Sequence, residues 1–210
     1  MRVPYISALI GARTVPINAR FKDRELAYLT ENADLKVLVT SDIIDQHTDY
    51  VEILGNCLPG LSEAVDPTVL ELQIAPKLKS VVMLGQSSPT GMIDRELFQS
   101  LGEGISDNEV HRLRSRIAIR DIAMMMYTSG TTADPKGCPT THEALVRTAV
   151  TGSRNCFELT EVDRLWDPLP LFHMSAILPL IGCLDAGATY ITLTHVEPGA
   201  CIQQMRDESC

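Results

Sequence analysis

Three segments with continuous apolar centres, each the length of a β-strand, set the strongest limit on how this chain can fold. They are Lys36–Thr40, Lys79–Leu84 and Ile122–Tyr127. Strands that lack polar alternation are buried on both faces, which is typical of parallel sheets with helices on each side. Between them lie segments of helical spacing such as Asp23–Ala33, where Leu26, Leu29 and Ala33 share one stripe. The sequence therefore predicts an α/β fold, doubly wound, with mostly parallel sheets covered by helices.

The remaining elements follow from the same periodicities. Helices are predicted at Val3–Ile10, ended by Gly11, at Asp42–Leu54, Asp94–Leu101 and Ser175–Ala186, from near Thr140, and in the last segment, Pro198–Cys210. Short strands are predicted at Arg13–Ile17 and Ala188–Leu193, with Arg164–Leu169 as a further element. Thr140 and Glu143 have the spacing of a capping box, and Gly102–Arg120 is expected to be a surface connection with a helical turn around Val110–Leu113.

Composition excludes several classes of protein. With 210 residues and 45% apolar content the chain can bury a core. Its net charge of −9 argues against a nucleic-acid partner, because such a protein needs a basic face to displace counterions. Any phosphate ligand must therefore be held by local groups.

The cysteines and the apolar runs give an expectation of location. The six cysteines contain no CxxC pair and no zinc-like spacing with the histidines, and no secretory signal opens the chain. The longest charge-free run, residues 168–184, is interrupted by three prolines and His173, so no transmembrane segment is predicted. We expect a cytoplasmic protein with reduced thiols and no protein-held metal.

The segment Tyr127–Gly137 carries the chemistry. Its eleven residues are Tyr-Thr-Ser-Gly-Thr-Thr-Ala-Asp-Pro-Lys-Gly, with five hydroxyl side chains, two glycines and one lysine between a strand and a helix. Strand, glycine loop and helix form a common phosphate-binding arrangement. It is not a Walker loop, because Pro135 and Gly137 stand where that motif needs glycine and Ser or Thr. The alternative is a Ser/Thr-rich surface turn without a ligand.

The loop resembles the signature loop of the adenylate-forming superfamily, which contains acyl-CoA synthetases, luciferases and peptide-synthetase adenylation domains. Two further segments resemble that family in the expected order: Gly11–Arg20, with its Val-Pro-Ile-Asn core, and Leu169–His173, which reads Leu-Pro-Leu-Phe-His. The resemblance covers nearly the whole chain. The Pro16–Tyr28 segment is closer to stand-alone fatty-acid or carboxylate–CoA ligases than to peptide-synthetase modules.

The resemblance implies ATP-dependent activation of a small-molecule carboxylate to acyl-AMP, followed by transfer to coenzyme A. The implied phosphate-binding residues of Mg²⁺-ATP are Thr128, Ser129, Gly130, Thr131, Thr132, Lys136 and Gly137, of which Lys136 and Thr131 are the catalytic candidates. Positioning and charge neutralisation dominate such transfers, so one fixed ammonium group and many short donors suit the task.

Phe172 and His173 are the implied acyl-pocket residues, with the His173 ring bordering the pocket entrance. A helix-start histidine bonded to the backbone is the alternative for His173. His142 also has a family counterpart, but its place in the first helical turn beside Glu143 favours packing or capping over catalysis. Ala133 departs from the family, which usually has glycine there; if that position needs φ > 0, alanine costs roughly 1 kcal/mol.

The chain is interpreted as part of an N-terminal domain. Residues 1–120 are assigned to a first α/β subdomain and residues 121–210 to the phosphate loop and acyl pocket. The family's later segments, which include a Mg²⁺-binding glutamate, a ribose-binding aspartate and the lysine of the C-terminal lid domain, have no match after His195. The isolated chain is therefore expected to adenylate poorly. The alternatives are a non-catalytic nucleotide-binding or interaction module, and an adenylation domain that serves another thiol.

Overall fold

The computed structural model describes residues 7–44, 46–128 and 134–210. The helices are α1 Asp23–Asn32, α2 Tyr50–Cys57, α3 Arg95–Gly102, α4 Asp107–Arg114, α5 His142–Asn155, α6 Met174–Ala186 and α7 Pro198–Asp207, with a short 3-10 helix at Leu61–Glu63. The strands are β1 Val37–Thr40, β2 Ser80–Met83, β3 Ile122–Thr128, β4 Lys136–Thr141, β5 Arg164–Trp166 and β6 Thr189–Ile191. The predicted α/β class is confirmed.

The chain divides into two compact units. The β1–β2 unit holds the described residues of 18–111 and 128–137, and the β5–β6 unit holds those of 7–17, 112–127 and 138–210. β3 and β4 form a two-stranded sheet of their own. The predicted boundary at residue 120 remains a prediction.

In the β1–β2 unit the two strands pair in parallel, as their apolar character predicts. Leu38 lies opposite Val81 and Thr40 opposite Met83. All four residues of β2 are buried, so this strand is covered on both faces. Helices α1 and α2 pack against each other, and α1 buries Leu26 and Leu29 from the stripe that the sequence predicts.

A carboxylate fastens the loop that follows β2. Asp42, two residues after β1, accepts hydrogen bonds from the main-chain N–H groups of Gln86 at 2.9 Å and Ser87 at 2.8 Å. These donors, Ser87 first, hold the pKa of Asp42 below its ordinary value. Gly85 makes room for the carboxylate, because a Cβ there would lie 1.8 Å from Asp42 Oδ1. The two parallel strands are thus tied together where both end.

The β5–β6 unit is organised around β3. Ala123, Met124 and Met126 of that strand are buried together with Leu145 of α5 and Ile177 of α6. Helices α5 and α6 pack closely, and a Cβ at Gly182 would lie 2.9 Å from the Ser153 Cβ. β5 and β6 pair in parallel, with Leu165 opposite Tyr190. This packing fixes where α6 begins.

Four details differ from the sequence predictions. Residues 13–17 contribute one parallel bridge, Thr14 to Met124, instead of a strand. α2 begins at Tyr50, because the Asp49 side chain caps Val51 and Glu52. The segment Lys136–Thr141, taken as loop, is strand β4, so that the cap of α5 moves from Thr140 to Thr141, whose Oγ1 accepts from the Ala144 N–H. The helical turn predicted around Val110–Leu113 in the Gly102–Arg120 connection is part of a longer helix, α4.

All six cysteines lie in the described part, and no disulfide joins any two of them. Burial, followed by the Asp23 charge, raises the pKa of the Cys57 thiol to about 11. Within residues 7–44, 46–128 and 134–210, no helix combines the length and the apolar character that crossing a bilayer requires.

We predict that Gly85→Ala lowers the free energy of unfolding by about 1–2 kcal/mol, because the new methyl group displaces the Asp42 carboxylate from its two N–H donors. The loss is expected at neutral pH and fades as the pH falls through the lowered pKa of Asp42, where protonation removes the same stabilisation in the parent chain. Urea unfolding at several pH values measures it.

Two controls make this test specific. In an Asp42→Ala background the Gly85→Ala change is expected to cost little, since no carboxylate then occupies the space. Gly55→Ala, in helix α2 where a Cβ meets no atom within 4 Å, is expected to stabilise by about 0.5–1 kcal/mol. Equal losses in the Asp42 and Asp42→Ala backgrounds would contradict the role assigned to the carboxylate.

Candidate functional site

Three of the predicted phosphate-binding residues lie in the described part of the loop. Thr128 is the last residue of β3 and is exposed, Lys136 is the first residue of β4 and is exposed, and Gly137 follows it half-buried. Ser129, Gly130, Thr131 and Thr132, together with Ala133, lie outside the described residues. β3 and β4 belong to one sheet, so the two arms of the loop leave neighbouring strands. This strand-to-strand arrangement replaces the predicted direct passage from loop to helix.

An ion pair connects the second arm of the loop to α1. Arg24 Nη2 lies 3.6 Å from Asp134 Oδ1, and the two side chains are 90% and 53% exposed. Arg24 belongs to the Pro16–Tyr28 segment on which part of the family resemblance rests. Exposed pairs contribute little stability because water and salt screen them. Arg24 is therefore a cation beside the loop that can leave Asp134 for a more strongly charged anion at small cost.

His142 is positioned for packing, as the sequence indicates. It is the first residue of α5, and its main-chain N–H donates to the Asp121 carbonyl oxygen at 3.1 Å. Its Nε2 atom is buried and has no hydrogen-bond partner among the described residues. A ring nitrogen that is shielded from solvent is poorly placed to exchange protons with a substrate, so this geometry favours packing over catalysis.

Phe172 and His173 are brought together at the start of α6. His173 is the residue before the helix, its side chain makes no capping hydrogen bond, and it is exposed. Its ring centroid lies 4.9 Å from that of half-buried Phe172, at an interplanar angle of 47°. The backbone-capping alternative for the His173 side chain is therefore not what the structure contains. A tilted pair with one exposed ring is suited to contact an apolar ligand.

A buried carboxylate that the sequence analysis missed lies five residues before Phe172. Asp167 is 6% exposed and accepts hydrogen bonds from the Leu169 N–H at 2.8 Å and the Tyr190 hydroxyl at 3.1 Å. Burial, and after it the Asp167 charge, raises the pKa of the Cys183 thiol. The signal available in the sequence was an aspartate directly before Pro-Leu-Pro, where a carboxylate can accept from a nearby N–H group.

A groove of about 600 Å³ in the β1–β2 unit is not part of this site. It is lined by residues of the 59–74 segment, including the carboxylates of Glu63, Asp66 and Glu71, and none of the described residues that line it is lysine or arginine. A triphosphate would meet repulsion there. The groove contains none of the predicted site residues.

Metal ligation finds no support in the described residues. Across them, no three His, Cys, Asp or Glu side chains are grouped so that they could hold a metal ion. Among the described residues of the loop, the ammonium group of Lys136 is a donor that binds anions and not cations.

Comparisons with known proteins agree with this description. The profile of the AMP-binding enzyme family matches residues 7–210. Among curated relatives, YngI of Bacillus subtilis is 29% identical over 211 residues, which is 100% of this chain and 38% of YngI. The acyl-CoA ligase SID4 of Ajellomyces capsulatus is 28% identical over 98% of this chain and 33% of its own length. The long-chain-fatty-acid–CoA ligase FadD13 of Mycobacterium tuberculosis is 27% identical over 92% of this chain and 32% of its own length. The chain thus spans about a third of the length of these relatives.

Solved structures show the same fold. The N-terminal domain of FACL13 from Mycobacterium tuberculosis superposes with a TM-score of 0.67 at 21% identity, covering 98% of this chain and 43% of that chain. The anthranilate CoA ligase AuaEII, solved in complex with anthranoyl-AMP, gives a TM-score of 0.64 at 22% identity over 89% of this chain and 31% of its own. These similarities confirm the predicted fold class.

We predict that the Arg24–Asp134 pair contributes less than about 1 kcal/mol to stability, because both side chains are exposed. A double-mutant cycle with Arg24→Ala and Asp134→Ala, measured by urea unfolding in 50 mM and 1 M salt, gives the coupling. It is expected to be small at low salt and absent at high salt. A coupling above 2 kcal/mol that persists in 1 M salt would contradict this view of a loosely held cation.

Proposed function

Because the chain belongs to the AMP-binding enzyme family, we propose that the protein containing it activates a carboxylic acid with ATP and transfers the acyl group to coenzyme A. In the first step a carboxylate oxygen attacks the α-phosphorus of ATP, the bond to the β-phosphate bridging oxygen breaks, and acyl-AMP and pyrophosphate form. In the second step the thiolate sulfur attacks the acyl carbonyl carbon and AMP leaves.

The observation that carries the proposal is the loop between β3 and β4. Lys136 stands exposed at the start of β4 and Thr128 stands exposed at the end of β3, so both side chains can reach a ligand. On a chain of net charge −9, a local ammonium group is needed to hold a triphosphate. We assign the β- and γ-phosphates to Thr128, Ser129, Gly130, Thr131, Thr132, Lys136 and Gly137, with Lys136 and Thr131 stabilising the charge that develops on the leaving pyrophosphate.

We assign the acyl group to the surface formed by Phe172 and His173. The two rings stand together before α6, and the histidine is exposed with no capping hydrogen bond of its side chain. Aromatic edges and faces of this kind hold apolar or planar acyl groups without a charge. We leave the acid unnamed, since FadD13 is named as a long-chain-fatty-acid–CoA ligase and SID4 only as an acyl-CoA ligase.

Coenzyme A is the proposed acceptor because SID4 and FadD13 both carry the name of a CoA ligase. Mg²⁺ enters the proposal only as the companion of ATP, whose charge it neutralises when bound. The described residues include no cluster that could hold the ion, so none of this chain's side chains is assigned as its ligand.

We predict that Lys136→Ala in the complete enzyme lowers kcat/KM for acyl-AMP formation by about 100-fold or more, because it removes the fixed charge that faces the leaving pyrophosphate. The measurement is carboxylate-dependent exchange of labelled pyrophosphate into ATP, scanned over a panel of fatty and aromatic acids. Lys136→Arg keeps the charge but changes the geometry, and its kcat/KM is expected to lie between those of the parent and of Lys136→Ala.

The matched control is Lys79→Ala, which removes an exposed lysine of the same unit. It is expected to leave the exchange rate within twofold of the parent enzyme. Equal rates for the Lys136→Ala enzyme and its parent would sink the assignment of the loop. Exchange that requires no carboxylic acid would instead point to a nucleotide-binding or interaction module.

We predict that the 210-residue chain alone supports far slower exchange than the complete enzyme, since it spans only about a third of the relatives' length. ATP affinity is a separate matter, because the loop itself is present. Isothermal titration with ATP and the exchange assay, run in parallel on both proteins, separate binding from catalysis. Pyrophosphate release by the 210 residues at the rate of the complete enzyme would contradict this expectation.

A further inference from the structure

We propose that Asp167 and Tyr190 form a positioning pair that fixes the Pro170–His173 turn, and through it the pocket side chains Phe172 and His173. The inference rests on the proposed function for its catalytic consequence. It identifies two residues outside the three recognised sequence segments that control how the acid is received.

The burial of Asp167 needs an explanation. Its side chain is 6% exposed, whereas the other buried polar residues of the described part, Thr30, Ser80 and Ser153, carry only hydroxyls. None of the ion pairs formed by described residues involves it. A buried carboxylate without a cation is strongly destabilising unless hydrogen bonds offset the loss of water. A surface loop of ordinary function would not need such a group.

The two hydrogen bonds of the carboxylate define its role. Oδ1 accepts from the Leu169 N–H at 2.8 Å, and Oδ2 accepts from the Tyr190 hydroxyl at 3.1 Å. The main-chain N–H of Asp167 donates to the Ile191 carbonyl oxygen at 2.9 Å, which continues the β5–β6 pairing. One oxygen of the Asp167 side chain is therefore bonded to Tyr190 of the sheet, and the other is bonded to Leu169 of the following turn.

The sequence after Asp167 leaves few other ways to fix this turn. Pro168 and Pro170 have no N–H group, so Leu169 supplies the only main-chain donor among residues 168–170. Asp167 takes that donor. The two prolines also restrict φ, and this makes the short segment stiff once its single hydrogen bond is formed.

Hydrogen bonds continue from the turn into α6. The Pro170 carbonyl oxygen accepts from the His173 N–H at 2.9 Å, and the His173 carbonyl oxygen accepts from Ala176 and Ile177 at 3.1 and 3.2 Å. Leu171 and Met174 pack on the core cluster that contains Ile177. Phe172 and His173 thus lie in a segment that Asp167 holds on its N-terminal side and the core cluster holds on its C-terminal side. Fixing both sides removes conformational freedom that binding would otherwise have to remove.

The first experiment needs no catalytic activity. Hydrogen exchange of the Leu169 and His173 amides is measured by NMR in the 210-residue chain. Asp167→Ala is expected to accelerate the exchange of both amides by about tenfold, and Tyr190→Phe by about threefold. Asp167→Asn keeps an oxygen for the Leu169 N–H and is expected to accelerate their exchange by less than twofold. Ser153→Ala removes a buried hydroxyl that bonds within α5 and is expected to leave both amides unchanged.

The second experiment tests the consequence in the complete enzyme. For Asp167→Ala the KM for the carboxylic acid is expected to rise about fivefold to tenfold while the KM for ATP stays within twofold, with Asp167→Asn restoring most of the loss. A merely structural role would lower the active fraction and so reduce kcat for both substrates without separating their KM values.

The outcomes are distinguishable. Leu169 and His173 amides that exchange at parental rates in Asp167→Ala, or acid and ATP KM values that rise together, would overturn the positioning pair. A complete parent enzyme that shows no acid-dependent exchange of pyrophosphate would overturn the proposed function instead. The amide measurements would then decide by themselves whether Asp167 and Tyr190 fix the turn.

Discussion

The packing of β3 against α5 and α6 is the constraint on which the candidate site depends. Met124 and Met126 of the strand are buried with Leu145 and Ile177, and each fully buried side chain of this size stabilises the fold by about 1.5–3 kcal/mol. The same cluster fixes the position of strand β3, which ends at Thr128, and of helix α6, which begins after His173. A strand held this firmly allows the chain beyond it to be rich in hydroxyls and glycine, which contribute little to a core.

The electrostatics of the loop depend on exposed cations of an otherwise acidic chain. Lys136 leaves the loop at the start of β4, and the nearby guanidinium of Arg24 is paired only loosely with Asp134. The groove lined by residues 59–74 has three carboxylates and, among its described lining residues, no lysine or arginine. A polyanion is therefore attracted to the loop more than to this groove, in agreement with the argument from net charge that any phosphate must be held by local groups.

Local patterns predicted most of the elements, and their failures have identifiable causes. Helix α1 and strands β1 and β2 match because periodicity and burial agree there. α2 was predicted to begin too early, since Asp42 has the residue type of a helix cap but its carboxylate instead accepts from the loop after β2. β4 was missed because Gly137 and Pro139 are typical of loops, and only its pairing in the β3–β4 sheet makes it a strand. At the candidate site, the sequence predicted Phe172 and His173, whose rings lie together in the structure, but could not show that Asp167 is buried.

Asp42 and Asp167 perform the same task in the two units. Each follows a strand of a parallel pair, and each accepts a main-chain N–H from a loop at the carboxyl end of that pair. Ligands of open α/β sheets bind at these ends, so the loops there must be ordered before a ligand arrives. A carboxylate can order a loop that has no regular structure, because it accepts from N–H groups in directions that a strand or helix cannot provide. Asp42 does this near solvent, whereas Asp167 is buried and depends on the Leu169 N–H and the Tyr190 hydroxyl to replace the lost water. Asp167 is therefore the less replaceable of the two.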